Sequence, residues 1–475
     1  MGVETRGKRR RRLEEEQELV VDRISGLPDG VLGDIVSLLP TKDGARTQLL
    51  SSRWRHLWRS APLNLELHIS WRRVPAGAIS HVLAAHPGPS RRFSIDYSSL
   101  LKFSYYNPDA AASTLDGWLR SPAINGLQEL EILFDHSLLR WAIKPLPLPP
   151  SVLRLSSTLT IAIFGACVLP DCANNNNGKV LQWPFLKKLT LFSVTVSESS
   201  LHALLAGCSA IDSLLLQENN GFSQLRIMSP SLRSIGVSSL PGLDDDNTDD
   251  DDTVLEQLVV EDAPCLERLL FSDGLGMSIS VISAPRLNVL GELQDDRHML
   301  QFGTSALQVQ GSTVASLTAV VQSVRVLALP RMKPCLDAVI NLMKCFPHLE
   351  KLHIEITHVG EENEPYDKYQ DHANTLDIRL RNIVLAYFYD RKSHIEFAKF
   401  LILNARVLES MTLQLKFGRV GNNAWIREQR RLLQVEKRAS KGARFDFVSR
   451  IGSFSLPVDK QVHDLSILDP FQRIH

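Results

Sequence analysis

Residues 22–65 read DRISGLPDGVLGDIVSLLPTKDGARTQLLSSRWRHLWRSAPLNL. Pro28 opens a helix, because its missing N–H is one of the donors a first turn leaves unpaired, and Asp29 sits at the positive end of the helix dipole. Leu32, Ile35, Val36 and Leu39 recur at helical spacing until Pro40 stops the run. After a turn at Thr41–Gly44, a second helix is predicted to carry Leu49, Leu50, Arg53, Trp54, Leu57 and Trp58. About 45 residues bury little of their own surface. Leu27, Leu38, Leu49 and two tryptophans exceed what the pair can hide. Either an adjoining domain or another protein covers the surplus; Trp and Arg are characteristic anchors for the latter.

The chain has 475 residues, and Lys plus Arg balances Asp plus Glu at 53 each. A neutral chain offers no field for nucleic acid, and no stretch approaches the ~20 apolar residues of a membrane span, so neither partner is expected. The N-terminus opens with charge rather than an apolar signal core, which predicts an intracellular chain, cytoplasmic or nuclear. Residues 1–20 read as a disordered charged tail, in which Lys8, Arg9, Arg10, Arg11 and Arg12 could serve as an import signal before an acidic run. The six cysteines (167, 172, 208, 265, 335 and 345) lack metal-site spacing and read as buried thiols; no cofactor or metal is implied.

Beyond Leu65 a cell recurs: a leucine-type residue, a second three later and a third two further on. It reads Leu186/Leu189/Leu191, Ile211/Leu214/Leu216, Leu232/Ile235/Val237, Leu266/Leu269/Phe271, Leu287/Leu290/Glu292, Val324/Leu327/Leu329, Leu349/Leu352/Ile354 and Leu408/Met411/Leu413, with an early copy at Leu127/Leu130/Ile132. Alternation within the cell makes a short strand with its leucines on one face. A single cell cannot bury that face, so stacking into a solenoid with one curved parallel sheet is the economical solution. Two gaps, 127–186 and 287–324, call for degenerate or inserted repeats. Leu255/Leu258/Val260 lies only 11 residues ahead of Leu266, too short for a full unit. Asn174–Asn177 and Asp244–Asp252 read as polar loop insertions.

From Thr375 an alternating strand (Leu376–Leu385) leads to Ser393-His394-Ile395-Glu396, which reads as a capping box, then to a nearly all-apolar helix and a strand at Leu408–Leu415. This predicts a strand–helix–strand cap, followed by a basic helix, Ile426–Lys437, packed loosely upon it. No nucleophile elbow, zinc-binding helix or phosphate-binding loop occurs. His353 and Glu355 share one strand face with no third partner, and read as surface residues rather than an acid–base pair.

Asp22–Ser25, Leu27-Pro28-Asp29, Leu39–Asp43, Arg53-Trp54-Arg55 and Leu57-Trp58 together resemble the F-box of plant leucine-rich-repeat proteins. Residues 375–417 are similar to the FBD region that ends many of them. Gly44-Ala45 departs from the small residue and valine usual there. The resemblance implies an α/β chain with an N-terminal all-α F-box (21–66), irregular repeats (67–366), an FBD-like cap (367–417) and a C-terminal extension (418–475). It also implies a non-catalytic substrate-recognition subunit of a ubiquitin ligase: the F-box docks a Skp-type adaptor, and through it a cullin scaffold, while the repeats hold a target protein. The alternative is a non-ligase interaction scaffold. Leu27, Pro28, Leu32, Ile35, Leu38, Leu39, Leu49, Leu50, Trp54 and Trp58 are expected to build the adaptor interface. Lys188, Thr190, Gln217, Gln257, Glu261, Arg268, Ser272, Lys351, His353 and Glu355, between the strand leucines on the concave face, are expected to meet the target.

Overall fold

The computed structural model describes residues 24–472 apart from 62, 67, 70–71, 74–75, 86–88, 97–107, 134–144, 172–181, 239–252, 273–276, 292–298, 304, 311–312, 316–319, 333, 357–376, 416–422 and 450–457. Lys8–Arg12, Cys172, Asn174–Asn177 and Asp244–Asp252 therefore lie outside the described residues. The chain forms two compact units, Met1–Ile132 and Leu133–His475. No helix among the described residues is long and apolar enough to cross a membrane.

The first unit opens with three helices rather than the expected two: α1 (Asp29–Leu38), α2 (Thr41–Thr47) and α3 (Ser52–Ser60). The stretch Thr41–Gly44, read as a turn, is helical because Pro40 leads straight into a new first turn, where its own N–H is not needed. Leu49 and Leu50 sit in the connection between α2 and α3 instead of on a helix. Strand β1 (Leu63–Glu66) follows and runs parallel to β2 (Ser90–Asp96), which neighbours β3 (Glu129–Leu133).

Gly44 lies against the indole of Trp58. A Cβ there would stand 2.5 Å from Trp58 Cζ3, so the departure from the usual F-box residue makes room for a tryptophan. Gly→Ala inside a helix ordinarily stabilises by about 1 kcal/mol. Here Gly44→Ala is expected to destabilise by about 1–3 kcal/mol through overpacking. Gly44→Ala/Trp58→Leu should lose less than the sum of the two single variants, as urea denaturation would measure.

The second unit is a coil of strands. Its main sheet holds, in spatial order, β4 (Ile161–Gly165), β5 (Lys188–Phe192), β6 (Ser213–Gln217), β8 (Ser234–Ser238), β10 (Arg268–Ser272), β12 (Val289–Gly291), β16 (Val326–Met332), β17 (Lys351–Ile356), β18 (Asn382–Phe388), β19 (Ser410–Leu415) and β20 (Arg444–Ser449). Neighbours are parallel, and the register is continuous except for shifts between Leu329 and Met332 and between Ala386 and Phe388. The leucines of each cell are buried, as alternation predicts.

A second sheet, which the repeat pattern does not announce, holds β7 (Gln224–Met228), β9 (Gln257–Asp262), β11 (Ser278–Val281), β13 (Met299–Phe302), β14 (Ser305–Gln310) and β15 (Thr313–Ala315). The chain alternates between the sheets from β6 to β13. The short step from Leu255 to Leu266 is thus half a coil, the passage from β9 to β10. The gap 287–324 holds the antiparallel hairpin β14–β15. Four further return legs carry a helix: α4 (Glu198–Ala206) after β5, α5 (Leu336–Cys345) after β16, α6 (Lys392–Asn404) after β18 and α7 (Asn423–Leu432) after β19.

The FBD-like segment supplies two rungs, β18 and β19, but does not end the sheet; β20, from the C-terminal extension, pairs beyond it. The expected capping box is not used. α6 begins at Lys392 with Arg391 as its N-cap residue, and Glu396 pairs with Lys399 at 3.4 Å. The basic helix is shorter than expected, ending at Leu432, and its continuation is anchored by the fully buried Leu433 and Val435. Burial pushes the thiols of Cys167, Cys208 and Cys345 up to about 12, which keeps them protonated.

Candidate docking surfaces

The F-box helices sort the sequence-predicted adaptor residues into two groups. Leu32 and Trp54 join Val36, Leu57 and Ala61 in an internal core, with Leu27 and Trp58 packed against it. Val31, Ile35 and Leu38 recur at i, i+4 and i+7 on the outward side of α1. Leu38 is 62% exposed, and Leu49 and Leu50 are 86% and 66% exposed. Pro28 is also exposed, and Leu39 is half-buried. Arg53 braces the entry of the module: its Nε donates to Asp29 Oδ1 at 2.7 Å, and its Nη atoms donate to the carbonyls of Ser25 and Leu27. The pair is solvent-exposed, so its value lies in fixing the approach of residues 24–28 more than in charge.

On the main sheet of the second unit, the side chains between the core leucines form rows across the strands. One row runs Lys188, Ser213, Ser234, Arg268, Val289, Val326, Lys351, Asn382, Ser410. The next includes Thr190, Leu215, Gly236 and Leu270, then Ala328, His353, Val384 and Thr412. These rows are not open from end to end. A short helix, α8 (Val458–His463), and the following residues to Gln472 lie across them.

Val462, fully buried, packs with Leu215, Leu270, Val289 and Val326. Gly236 is the floor of that contact: a Cβ there would overlap Val462 Cγ2. His463 bridges two rows, with Nδ1 2.7 Å from Ser213 Oγ and Nε2 2.7 Å from Thr190 Oγ1. Burial, with the nearby charge of Lys188, pushes this imidazole down to about 4, so at neutral pH it is uncharged and donates one bond while accepting the other. Arg268, itself buried, donates Nη1 to the carbonyls of Gln461 (3.1 Å) and Asp464 (2.9 Å), and Nη2 to those of Leu465 (3.1 Å) and Ile467. Four carbonyls thus take the donors of both Nη atoms, which would be costly to bury unpaired.

At the far end, Asp469 Oδ2 lies 3.3 Å from Lys351 Nζ and 3.1 Å from His353 Nε2. Burial would raise this carboxyl, but the His353 hydrogen bond and the charges of His353 and Lys351 outweigh it and hold the group below its ordinary value. The Phe471 ring lies tilted against His353, ring centroids 5.7 Å apart and planes 55° apart.

The sequence-predicted target residues therefore separate. Thr190, Arg268, Lys351 and His353 do face outward from the leucines, but they hold the chain's own C-terminal segment. His353 thus has the third partner the sequence did not reveal. Lys188, Gln217 and Glu355 are half-buried on the same face. Gln257 and Glu261 are on the second sheet, where they bond Gln224 and Arg226, because the Leu255 cell belongs there. The side chain of Ser272 lies outside the described residues. Sequence reasoning missed Ser213, Gly236, Val462, His463 and Asp469. A signal was present: Leu215, Leu270, Val289 and Val326 are apolar where alternation toward solvent calls for polar residues, the mark of a strand covered on both faces.

Family models place an F-box domain at residues 24–66, the leucine-rich repeats of FBD-associated F-box protein At5g56370 at 115–354, just over half the chain, and an FBD region at 375–413. Among similar proteins of Arabidopsis thaliana, FBD-associated F-box protein At4g13985 is 30% identical over 263 residues, covering 53% of this chain and 52% of that protein. F-box/LRR-repeat protein 13 is 29% identical over 261 residues, with the same coverage, and F-box protein At5g03100 is 28% identical over 220 residues, covering 46% of this chain and 63% of that protein. The chain spans roughly 38–63% of the length of the curated relatives it matches. With three-helix module, coiled parallel sheet and FBD segment in the same order, the chain belongs to the FBD-associated F-box proteins that carry leucine-rich repeats.

Proposed function

We propose that this chain is a substrate-recognition subunit of a cullin–RING ubiquitin ligase, bound to a Skp-type adaptor through its F-box and to a target protein through the outer face of its repeats. Such work is done inside the cell, in cytoplasm or nucleus. It needs no catalytic side chain, because holding a target beside the ligase machinery raises its effective concentration. The observation that carries the reading is the outward row Val31, Ile35 and Leu38 with Leu49 and Leu50, large apolar side chains exposed beside a core that is already filled by Leu32, Val36, Trp54 and Leu57. A soluble module gains nothing from such a patch unless a partner covers it.

The test separates the two groups of residues. Leu38→Asp/Leu49→Asp/Leu50→Asp is expected to weaken capture of a Skp-type adaptor by 100-fold or more, on the order of 3 kcal/mol, with an unchanged melting temperature. Leu32→Ala is expected to cost about 2–5 kcal/mol of stability and to affect capture only through unfolding. Adaptor binding that survives the triple change sinks the docking surface. Adaptor capture without cullin recruitment or ubiquitin transfer favours the non-ligase scaffold.

A further inference from the structure

The outer face holds residues 458–472 in two different ways. Arg268 donates only to main-chain carbonyls, which a segment of any sequence presents. Side chains are selected at two other points. Gly236 leaves room for Val462, and Lys351 with His353 takes the carboxylate of Asp469, seven residues further along. Main-chain bonds that grip any segment, with sockets that choose side chains, are the division of labour of a peptide-binding groove.

The segment fills this groove incompletely. α8 lies over β6 and β8. Beneath it, in the row between Ser213 and Arg268, Ser234 is fully buried. Its Oγ finds no hydrogen-bond partner among the described residues, whereas the neighbouring Ser213 is bonded to His463. A buried hydroxyl left in this way costs free energy that a better-matched occupant recovers. The outward side of the segment is equally unfinished: Leu468 is 83% exposed, and Leu465 and Ile467 are only half-buried. Its helix has six residues, too few to persist once off the sheet.

We propose that the face from β5 to β17 is the groove that binds the target protein, and that residues 458–472 are its resident, displaceable occupant. The target presents a segment of the same chemistry: an apolar side chain over Gly236, the open carbonyls of a helix end at Arg268, and a carboxylate seven residues beyond the apolar one. It adds what the resident segment lacks, a polar group bonded to Ser234. This deepens the functional reading above and rests on its assignment of the target to the outer face. Displacement accompanies capture, so the groove is closed until a competing segment arrives.

The experiment adds synthetic peptides to the full chain carrying ¹³C-labelled valine methyl groups. In the wild-type chain, a saturating peptide of residues 458–472 should move the Val462 methyl signal to its released position. The same peptide is expected to bind the Val462→Asp chain more tightly by about tenfold or more, because there no resident segment competes at high effective concentration. Asp469→Asn in the peptide should weaken it about tenfold, as loss of a charge-assisted pair implies. Asp459→Ala/Lys460→Ala/Leu468→Ala in the peptide should leave it within about threefold, since those side chains face solvent. Adding Ser234→Ala to the Val462→Asp chain should tighten the peptide about fivefold, by removing the unpaired hydroxyl.

A wild-type Val462 signal that stays fixed at saturating peptide overturns the displaceable occupant, whether or not the Val462→Asp chain folds. Binding indifferent to Asp469→Asn overturns the carboxylate rule, and weaker binding on Ser234→Ala overturns the vacant socket. None of these readouts needs adaptor or ligase, so the F-box reading stands or falls on its own test.

Discussion

Replacing Val462 by aspartate is expected to release the entire segment 458–472 from the sheet. The side chain is fully buried among Leu215, Leu270, Val289 and Val326, with Gly236 beneath it. An unpaired carboxylate at that point costs several kcal/mol, against the roughly 1.5–3 kcal/mol that burying a valine contributes. Staying docked is therefore worse than leaving. Release frees the carbonyls from Arg268 and parts Asp469 from Lys351 and His353. Hydrogen exchange should show protection lost at 458–472 together, and a dye that binds apolar surface should report the uncovered leucines and valines. If only residues near 462 lose protection while 465–472 keep theirs, the anchors act separately and the prediction fails. Arg268→Lys is expected to give a milder form of the same release, because an ammonium cannot serve four carbonyls at the corners of a fork.

Acid should loosen the same segment in a defined window. The His463 imidazole is held down to about 4, whereas a free imidazole titrates near 6.5. Between those values the undocked state binds the proton that the docked state refuses, so stability rises with pH across the window. The full contribution is present above about 6.5 and is lost as pH falls, amounting to about 3 kcal/mol by pH 4. Asp469 is also held below its ordinary value, but its contribution persists above the usual carboxylate range and disappears only as pH falls through its own lower value. It leaves the window to His463. The Val462 methyl signal should therefore move toward its undocked position between pH 6.5 and 4.5. His463→Asn should be less stable at pH 7.5 and flat across that range. A wild-type signal that stays fixed to pH 4.5 would show that the docked imidazole accepts its proton in place.

Much of the fold was legible because its rules are local. Leu186/Leu189/Leu191 and its copies announce a strand and the face it buries, and the residues between them announce the opposite face. The first helix of the F-box was legible for the same reason, from Leu32, Ile35, Val36 and Leu39 at helical spacing, but the period does not separate the inward Leu32 and Val36 from the outward Ile35 and Leu38, which the packing decides. What escaped reading depends on partners distant in sequence. Thr190 and Arg268 look like exposed polar residues until His463 and the carbonyls of 461–467 arrive from nearly 200 residues away or more. The helix at Thr41–Thr47 escaped because Pro40 is a stop for one helix and an opening for the next. Gly44 reads in the sequence only as a departure from the usual residues, and the Trp58 ring explains it.

The C-terminal segment also changes how this coil should come apart. A stack of rungs bound only to neighbours behaves as a one-dimensional array: its ends fray, and its middle can persist when the ends are gone. A segment bonded to β5 at one end and β17 at the other, crossing five strands between them, adds couplings that skip neighbours. Opening any covered rung then strains contacts made by rungs several positions away. Unfolding of β5 through β17 should accordingly be all-or-none in the intact chain and become stepwise once the strap is off.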